Sequence, residues 1–259
     1  MSGVPTVARL NVTPVKSTAL HHPDRIRLER HGAVGNRDFF FVNEDGRRLS
    51  GSKKALLIPI RADYDASNER LTLRLPDGIV VRGSAAANGE ALTVDFYGRA
   101  VSAHVVEGEW EEALTRYVGH PVRLARVDRP GDGIDARPVT LVSLASVEEL
   151  SRQGGRDRPV DARRFRMLIE VDGCAPHDED TWVGRRVRVG EAVVLVGDPV
   201  PRCVITTLDP QTGMRDFPTL KVIRQYRGVS QDDELQFGVY GDVLEPGPTR
   251  VGDEVELLD

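Results

Sequence analysis

Short β-prone runs separated by tight turns constrain the fold of this chain more than any other feature of its sequence. Arg25–Glu29 and Arg70–Leu75 alternate polar and apolar residues at the period of a half-buried strand, and Asp38–Asn43 is a strongly β-prone run. Glu44–Gly46 follows directly with residues typical of a hairpin turn. Many short strands joined in this way predict a barrel or a strongly curved sheet.

Helical periodicity is confined to short segments. Glu109–Tyr117 has an apolar face at helical spacing, and Thr219–Tyr226 is a plausible helix near the end of the chain. Between them, Ser146 and Glu149 have the spacing of a capping box, which predicts a helix over Val147–Gln153 with Ser146 as its cap. The expected fold class is therefore mainly β (α+β) with a few helices.

A change in composition divides the chain near its middle. The stretch Asp128–Arg137 is rich in Gly, Asp, Arg and Pro and lacks periodicity, which predicts a loop. A length of 259 residues suits two small domains. We therefore expect a barrel-like β domain over residues 1–127 and a second β domain over residues 128–259.

Composition and charge exclude several classes of protein. The net charge of −5, with basic and acidic residues interspersed, predicts no nucleic-acid partner. The chain has no run of about 18 apolar residues, so no membrane span is expected, and the first residues lack the pattern of a signal peptide. The chain has two cysteines and no CxxC or Cys/His cluster, which argues against a disulfide framework, a zinc site or an iron–sulfur cluster. The expectation is a soluble, cytoplasmic protein.

Cys203 is the strongest candidate for chemistry. It follows Arg202 and precedes Val204–Thr207, a β-branched run that predicts a strand. A thiol beside a guanidinium is biased toward the thiolate, the form that attacks electrophiles and binds soft metals. A free cysteine is also common as a small buried hydrophobic residue, so these residues alone leave both interpretations open.

Other polar motifs have two interpretations each. Lys16-Ser17 and Arg37 place cations and N–H donors at turns, where they suit either a phosphate or water. Asp135 stands at a loop-to-strand junction and suits either a site or a turn. Arg163–Arg166 is either an anion-binding segment or the end of a surface helix. His177 has acidic neighbours but no second histidine, and is predicted to lie in a solvated loop.

In this order, the motifs of the chain resemble the MOSC-domain family, in the branch that carries an N-terminal MOSC β-barrel domain and contains the mitochondrial amidoxime-reducing component. The resemblance covers nearly the whole length, and its most specific part is Arg202–Gly213, RCVITTLDPQTG. Weaker motifs occur in matching order: Pro14–Ser17, Arg37–Phe39, Asp135 with Pro138, Leu144–Val147, Arg164–Arg166, Asp180–Trp182, Phe237–Gly238 and Val251–Asp253.

The resemblance implies an N-terminal MOSC β-barrel-like domain over residues 1–127, a MOSC domain over residues 128–259, and a molybdenum–molybdopterin cofactor between them. It implies that Cys203 is the protein ligand to molybdenum and that Asp135 lies close to the metal as a catalytic residue. The remaining residues that the resemblance assigns to cofactor binding are Lys16, Ser17 and Arg37 at the pterin phosphate, Arg166 at the pterin, and Arg202 and Thr206 in the cysteine segment.

The activity implied by the resemblance is reduction of N-hydroxylated small molecules. Electrons would come from a separate ferredoxin- or cytochrome b5-like donor, since the chain has no cysteines for a cluster of its own. Two other functions stay open: a sulfur carrier with a persulfide on Cys203, and a non-catalytic pterin- or anion-binding protein. One departure bears on the last, because Leu168 stands where the family typically has Asn, which removes an amide that could bond the cofactor.

Overall fold

The computed structural model describes residues 3–258 and confirms the mainly β fold with a few helices. In the first half of the chain the strands are β1 (Thr6–Leu10), β2 (Arg25–Glu29), β3 (Gly32–Ala33), β4 (Phe39–Val42), β5 (Arg61–Asp65), β6 (Arg70–Arg74), β7 (Val80–Ser84), β8 (Ala91–Phe96), β9 (Arg99–Val105) and β10 (Arg123–Val127). In the second half they are β11 (Val139–Ser143), β12 (Ile169–Asp172), β13 (Arg186–Val189), β14 (Ala192–Pro201), β15 (Gln236–Glu245), β16 (Gly247–Arg250) and β17 (Val255–Leu257).

The helices are short. The α-helices are α1 (Trp110–Val118), α2 (Leu144–Gln153) and α3 (Thr219–Arg227). Four 3₁₀ segments cover Ala55–Leu57, Ala162–Phe165, Asp178–Trp182 and Val204–Thr207. None of these helices, within residues 3–258, is long and apolar enough to cross a bilayer.

A seven-stranded sheet, built from β1 and six strands of the second half of the chain, forms a nearly closed barrel. Its strand order is β1-β12-β11-β15-β14-β13-β17. A bridge between Thr6, in the first strand, and Glu254, just before the last, nearly closes the ring. Inward-facing aliphatic residues such as Val139, Ile169 and Val194 are fully buried and form the barrel core. The N-terminal strand is thus part of the barrel that the later strands build.

The rest of the first half forms a second core from two smaller sheets. Strands β4-β10-β9-β8 make one sheet and β5-β6-β7 the other, with α1 packed against them. Phe39, Phe41 and Trp110 are buried between these elements. A third small sheet, β16-β2-β3, pairs β2 with a strand from the end of the chain, so strand pairing as well as the 128–137 loop connects the two halves.

Two local predictions were wrong. Helix α2 begins at Leu144 with Ser143 at its N-cap, so Ser146 lies inside the helix and does not cap it. The Ser146 hydroxyl instead lies 2.7 and 2.9 Å from the carboxylate oxygens of Glu179, a fully buried residue that needs a donor.

Residues Val204–Thr207 form a 3₁₀ turn where a strand was expected. The Thr206 and Thr207 hydroxyls donate to the carbonyls of Cys203 and Val204, at 3.0 and 2.7 Å. Such local bonds from threonine to the backbone compete with strand pairing in a short segment, which explains the error. Cys203 therefore stands at the N-cap of a tight turn.

The barrel geometry predicts unequal effects for two glycine substitutions. A methyl group at Gly241 in β15 would lie 2.5 Å from Cγ1 of buried Val194, whereas one at Gly197 in β14 has no neighbour closer than 3.8 Å. We expect Gly241→Ala to lower the free energy of unfolding by about 1 to 3 kcal/mol, and Gly197→Ala to change it by less than about 0.5 kcal/mol. Urea unfolding of both variants measures the difference, and equal effects would contradict the packing described.

Candidate functional site

A cavity of about 420 Å³ opens between the two halves of the chain. The eight residues singled out from the sequence all line it. Three come from the first half, Lys16, Ser17 and Arg37, and five from the second, Asp135, Arg166, Arg202, Cys203 and Thr206. Tertiary structure thus brings into one place residues that lie up to about 190 positions apart in sequence, while their individual roles stay predictions.

The charge of the cavity wall is opposite in sign to that of the whole chain. Among the described residues that line it, one carboxylate faces six cationic side chains, which are Lys16, Arg37, Arg48, Arg137, Arg166 and Arg202. The net charge of the chain is −5. A local positive excess in a partly enclosed site attracts anions more strongly than the same charges in bulk water. The wall is therefore suited to a ligand that carries phosphate or carboxylate groups.

Lys16, Asp135 and Arg37 form an ion cluster across the cavity. Lys16 Nζ lies 2.6 Å from Asp135 Oδ1 and donates to the carbonyl of Gly133 at 2.9 Å. Arg37 Nη1 lies 3.3 Å from the other carboxylate oxygen. The loop can come this close because residue 133 is glycine: a methyl group there would lie 1.9 Å from the Arg37 carbonyl oxygen.

Burial and neighbouring charges set the protonation of this cluster. Burial, together with the charges of Arg37 and Arg48, lowers the pKa of Lys16 to about 7 despite the opposing attraction of Asp135. Burial raises the pKa of Asp135, but the attraction of Lys16 and Arg37 outweighs it and holds this pKa below its ordinary value. At neutral pH Asp135 is therefore ionised, and Lys16 is the member of the pair that titrates.

The Arg163–Arg166 segment divides between packing and the cavity. Arg163 pairs with Asp161, and buried Arg164 binds the Asp216 carboxylate at 3.0 and 2.8 Å. Of the three arginines, only Arg166 lines the cavity, where its Nη2 donates to the Thr18 carbonyl at 2.7 Å. Burial lowers the pKa of Arg166 to about 9, so its guanidinium stays charged at neutral pH.

Arg202 anchors the segment before the cysteine. Its Nε and Nη2 donate to the Phe237 carbonyl at 2.8 and 2.6 Å, and Nη1 donates to the Phe165 carbonyl at 3.1 Å. Burial lowers the pKa of Arg202 to about 10, which leaves it charged at neutral pH. These hydrogen bonds go to the backbone, so Arg202 fixes the chain directly before Cys203.

Cys203 is exposed at the cavity. The structure therefore contradicts the alternative of a small buried hydrophobic residue. Cys174, by contrast, packs partly buried against the barrel core, and burial raises the pKa of its thiol. Buried Thr206 donates its hydroxyl to the Cys203 carbonyl, so its visible role is to hold the cysteine turn. Cys203 is thus an accessible thiol on a well-supported turn.

Sequence reasoning missed several residues of the cavity wall, among them Arg48, Tyr97 and Tyr240. The Arg48 guanidinium lies 4.7 and 4.6 Å from the ring centroids of Phe96 and Tyr97. Its Nε and Nη1 atoms are buried and have no hydrogen-bond partner among the described residues. Unsatisfied buried donors beside a cavity are suited to hydrogen-bond an anionic ligand. Nothing in the sequence around Arg48 sets it apart from a solvated surface arginine.

Backbone strain is concentrated at this cavity. Seven non-glycine residues among positions 3–258 have a left-handed backbone, and four of them line the cavity: Ser17 (φ 75°), Arg37 (62°), Tyr97 (58°) and Arg166 (54°). Such a conformation costs roughly 1 to 2 kcal/mol for each residue. Strain of this kind collects at sites where function holds a side chain in place.

His177 lies outside this cavity. The prediction that it lies in a solvated loop is wrong. Its ring is half-buried beside Tyr226 and Arg227, with the ring of Phe237 edge-on at 5.6 Å. Burial, followed by the charge of Arg227, lowers the pKa of His177 to about 4. His177 is therefore a neutral packing residue.

The cluster predicts a pH dependence of stability. Because the pKa of Lys16 falls from an ordinary 10.5 to about 7 on folding, the unfolded chain binds more protons between these pH values. We expect the free energy of unfolding of the unmodified protein to rise with pH from 7 to 10 relative to that of Lys16→Met. Urea unfolding at several pH values measures this, with exposed Lys53→Met as the control. Parallel curves for Lys16→Met and the unmodified protein would disprove the assignment.

Comparison with known proteins agrees with the fold and extends it. A family model of the MOSC N-terminal beta barrel domain matches residues 4–121, and one of the MOSC domain matches residues 128–256. Mitochondrial amidoxime-reducing component 1 of Mus musculus is 27% identical over 98% of this chain and 83% of its own length. Mitochondrial amidoxime reducing component 2 of Bos taurus is 25% identical over 97% and 83%.

Two further proteins are similar in part or in fold alone. The molybdenum cofactor sulfurase of Caenorhabditis elegans is 28% identical over 91% of this chain but only 33% of that protein. The crystal structure of the YUAD protein from Bacillus subtilis covers 98% of this chain with a TM-score of 0.50 and 15% identity, which supports the fold only. The two matched domains, which together span nearly the whole chain, show that the protein belongs to the MOSC-domain family, in the form with an N-terminal MOSC β-barrel domain.

Proposed function

We propose that this protein is a molybdenum-cofactor-dependent reductase of N-hydroxylated small molecules, with Cys203 as the protein ligand to the metal. The observation that carries the proposal is a single cavity with an accessible thiol and a strongly cationic wall. A soft thiolate suits molybdenum, and clustered cations suit a phosphate. The relatives named amidoxime-reducing components support the reaction class, and the sulfurase supports a link to the molybdenum cofactor.

The residues present fit such a cofactor. The unpartnered donors of Arg48, the cation of Arg37 and the Ser17 hydroxyl would hold the phosphate, and Arg166 would contact the pterin. That hydroxyl already accepts from the Gly51 amide at 3.0 Å, so it stands oriented at the wall. When bound, the cofactor supplies two-electron redox chemistry at molybdenum. The protein would bind and orient the cofactor and would supply protons.

The Lys16–Asp135 pair is the proposed proton source. Loss of N-bound oxygen as water requires protons at the reacting oxygen. Asp135 is ionised at neutral pH, so it can accept a proton but has none to give. Lys16, with a pKa of about 7, holds the proton that such a step needs, and Asp135 orients its ammonium at 2.6 Å. The acid of the site is therefore Lys16, with Asp135 as its partner.

Leu168, which replaces the family's typical Asn, faces away from the chemistry. Its side chain is 4% exposed and packs in the barrel core. Its N–H donates to Thr140 Oγ1 at 2.8 Å, and its carbonyl accepts from the backbone N–H of Asn11 at 2.8 Å. The substitution therefore changes barrel packing, and the cavity wall keeps its cations. This weakens the case for a non-catalytic protein.

The electron donor and the location complete the proposal. The two cysteines, Cys174 and Cys203, lie in different parts of the fold, one against the barrel core and one at the cavity. A separate ferredoxin- or cytochrome b5-like protein would therefore deliver electrons. We also propose a cytoplasmic location, on the composition of the chain, although the relatives above are named mitochondrial.

A pair of cysteine variants tests the proposal. Cys203→Ser keeps the size of the side chain but removes the soft ligand, so we expect molybdenum content to fall and amidoxime reduction with an artificial reductant to drop roughly 100-fold or more. Cys174→Ser changes the partly buried cysteine and should leave both quantities near those of the unmodified protein. Metal analysis and turnover of protein from a molybdenum-replete host measure this. Equal molybdenum content in the two variants would show that Cys203 is not a ligand to the metal.

The second candidate, a sulfur carrier, is favoured by the accessible Cys203 and by the partial match to a sulfurase. A nucleophilic thiolate accepts sulfur as a persulfide by the same chemistry as thiol exchange. Mass spectrometry after treatment with a cysteine desulfurase and cysteine separates the two functions. One added sulfur atom on Cys203, removable by a reductant, together with no molybdenum in the purified protein, would replace the reductase proposal with the carrier.

A further inference from the structure

Tyr97 occupies a position whose backbone favours other residues. It is the first residue of the two-residue loop between β8 and β9, whose last pair is Phe96 with Arg99. Tyr97 has φ 58° and Gly98 φ 85°, and left-handed values at both positions define a type I′ turn. Such turns prefer Asn, Asp or Gly at the first position, because a bulky side chain is strained there. The hairpin would therefore form more readily without a tyrosine.

Core packing does not account for this tyrosine. Tyr97 is 68% exposed, whereas its neighbour Phe96 is 1% exposed and meets the ring of Phe40 edge-on at 5.1 Å. Phe96 thus anchors the hairpin to the core, and Tyr97 adds little buried area. The ring of Tyr97 contacts the Arg48 guanidinium, which lies 4.6 Å from the ring centroid. That cation, which also lies over Phe96, holds the exposed ring in place.

The ring stands at the proposed reaction site. Tyr97 lines the same cavity as Cys203 and Asp135. Partial desolvation, followed by the charge of Asp135, raises the pKa of Tyr97 against the opposing charge of Arg48. An exposed aromatic face beside the reacting group is a platform on which planar π systems stack.

We propose that Tyr97 is a substrate-contact residue, whose ring stacks on the planar part of an aryl N-hydroxylated substrate and so selects aryl over alkyl compounds. This inference rests on the proposed reductase function. It explains why a strained, exposed aromatic residue is kept at a turn that Asn would suit better. The Arg48 guanidinium beside the ring restricts the motion of the Tyr97 side chain, so this side chain loses less conformational entropy when substrate binds.

Two amidoximes and three variants test the inference in the cofactor-loaded protein. Tyr97→Asn suits the turn but has no ring, and we expect it to raise KM for benzamidoxime about tenfold while changing KM for acetamidoxime less than about twofold. Tyr97→Phe keeps the ring and should resemble the unmodified protein. Glu69→Asn makes the same replacement at another left-handed turn residue, outside the cavity wall, and is the matched control.

Stability supplies a readout that is independent of turnover. If Tyr97 is kept for substrate, Tyr97→Asn unfolds at the same or a higher urea concentration than the unmodified protein. A lower midpoint, with KM unchanged or changed equally for both amidoximes, would show that Tyr97 is only structural. A loss in Tyr97→Phe as large as in Tyr97→Asn would overturn ring stacking.

Failure of the reductase proposal is recognised separately. If the unmodified protein reduces neither amidoxime, calorimetric binding of benzamidoxime to it and to Tyr97→Asn decides. Binding that weakens about tenfold in the variant supports the Tyr97 contact and overturns only the proposed reaction. Equal binding, or none to either protein, overturns the Tyr97 inference as well.

Discussion

The structure of the site depends on one ion pair, between Lys16 of the first half and Asp135 of the second. It joins buried Lys16 to the part-exposed Asp135 at 2.6 Å and is fixed by the Lys16 bond to the Gly133 carbonyl. Burying the Lys16 ammonium is costly, and close geometry with an added hydrogen bond offsets part of the cost. The pair therefore holds the 128–137 loop near Lys16 and Arg37.

Two other cations of the wall, Arg166 and Arg202, are held by backbone carbonyls. Arg166 donates to Thr18, and Arg202 donates to Phe165 and Phe237. Carbonyl dipoles replace part of the lost hydration but leave the positive charges uncompensated. With one carboxylate among six cationic side chains, the cations of the wall repel one another, and an anionic ligand would relieve this repulsion as it binds. Burial is the main cause of the lowered pKa of Lys16, and the charges of Arg37 and Arg48 contribute to it.

Several features around this cavity lower stability: left-handed backbone at non-glycine residues, unpartnered Arg48 donors and a desolvated lysine. The two cores behind it are conventional, with buried aliphatic and aromatic residues and regular strand pairing. A rigid barrel is what allows a strained loop cluster to persist, because each strained residue is held by neighbours that cannot relax. This division of roles is what a binding site on a stable scaffold requires.

The sequence by itself determined the strands, the hairpin turns and the eight candidate residues. Alternation predicted Arg25–Glu29 with the bounds that the structure has, because a strand with one buried face must alternate. Motif order then identified residues from both halves that proved to share one cavity. The 3₁₀ turn at Val204–Thr207 was not predicted, because hydrogen bonds from threonine hydroxyls to backbone carbonyls overrode the β-branched pattern.

Only tertiary structure decided what the wall contains and how it titrates. Arg48 and Tyr97 look like ordinary surface residues in the sequence, and only packing of the hairpin against the other half puts them at the cavity. Protonation of Lys16 depends on burial and on three charges from distant segments, which no local pattern encodes. Local propensity fixes how each segment folds, whereas desolvation and charge coupling arise only once the segments meet.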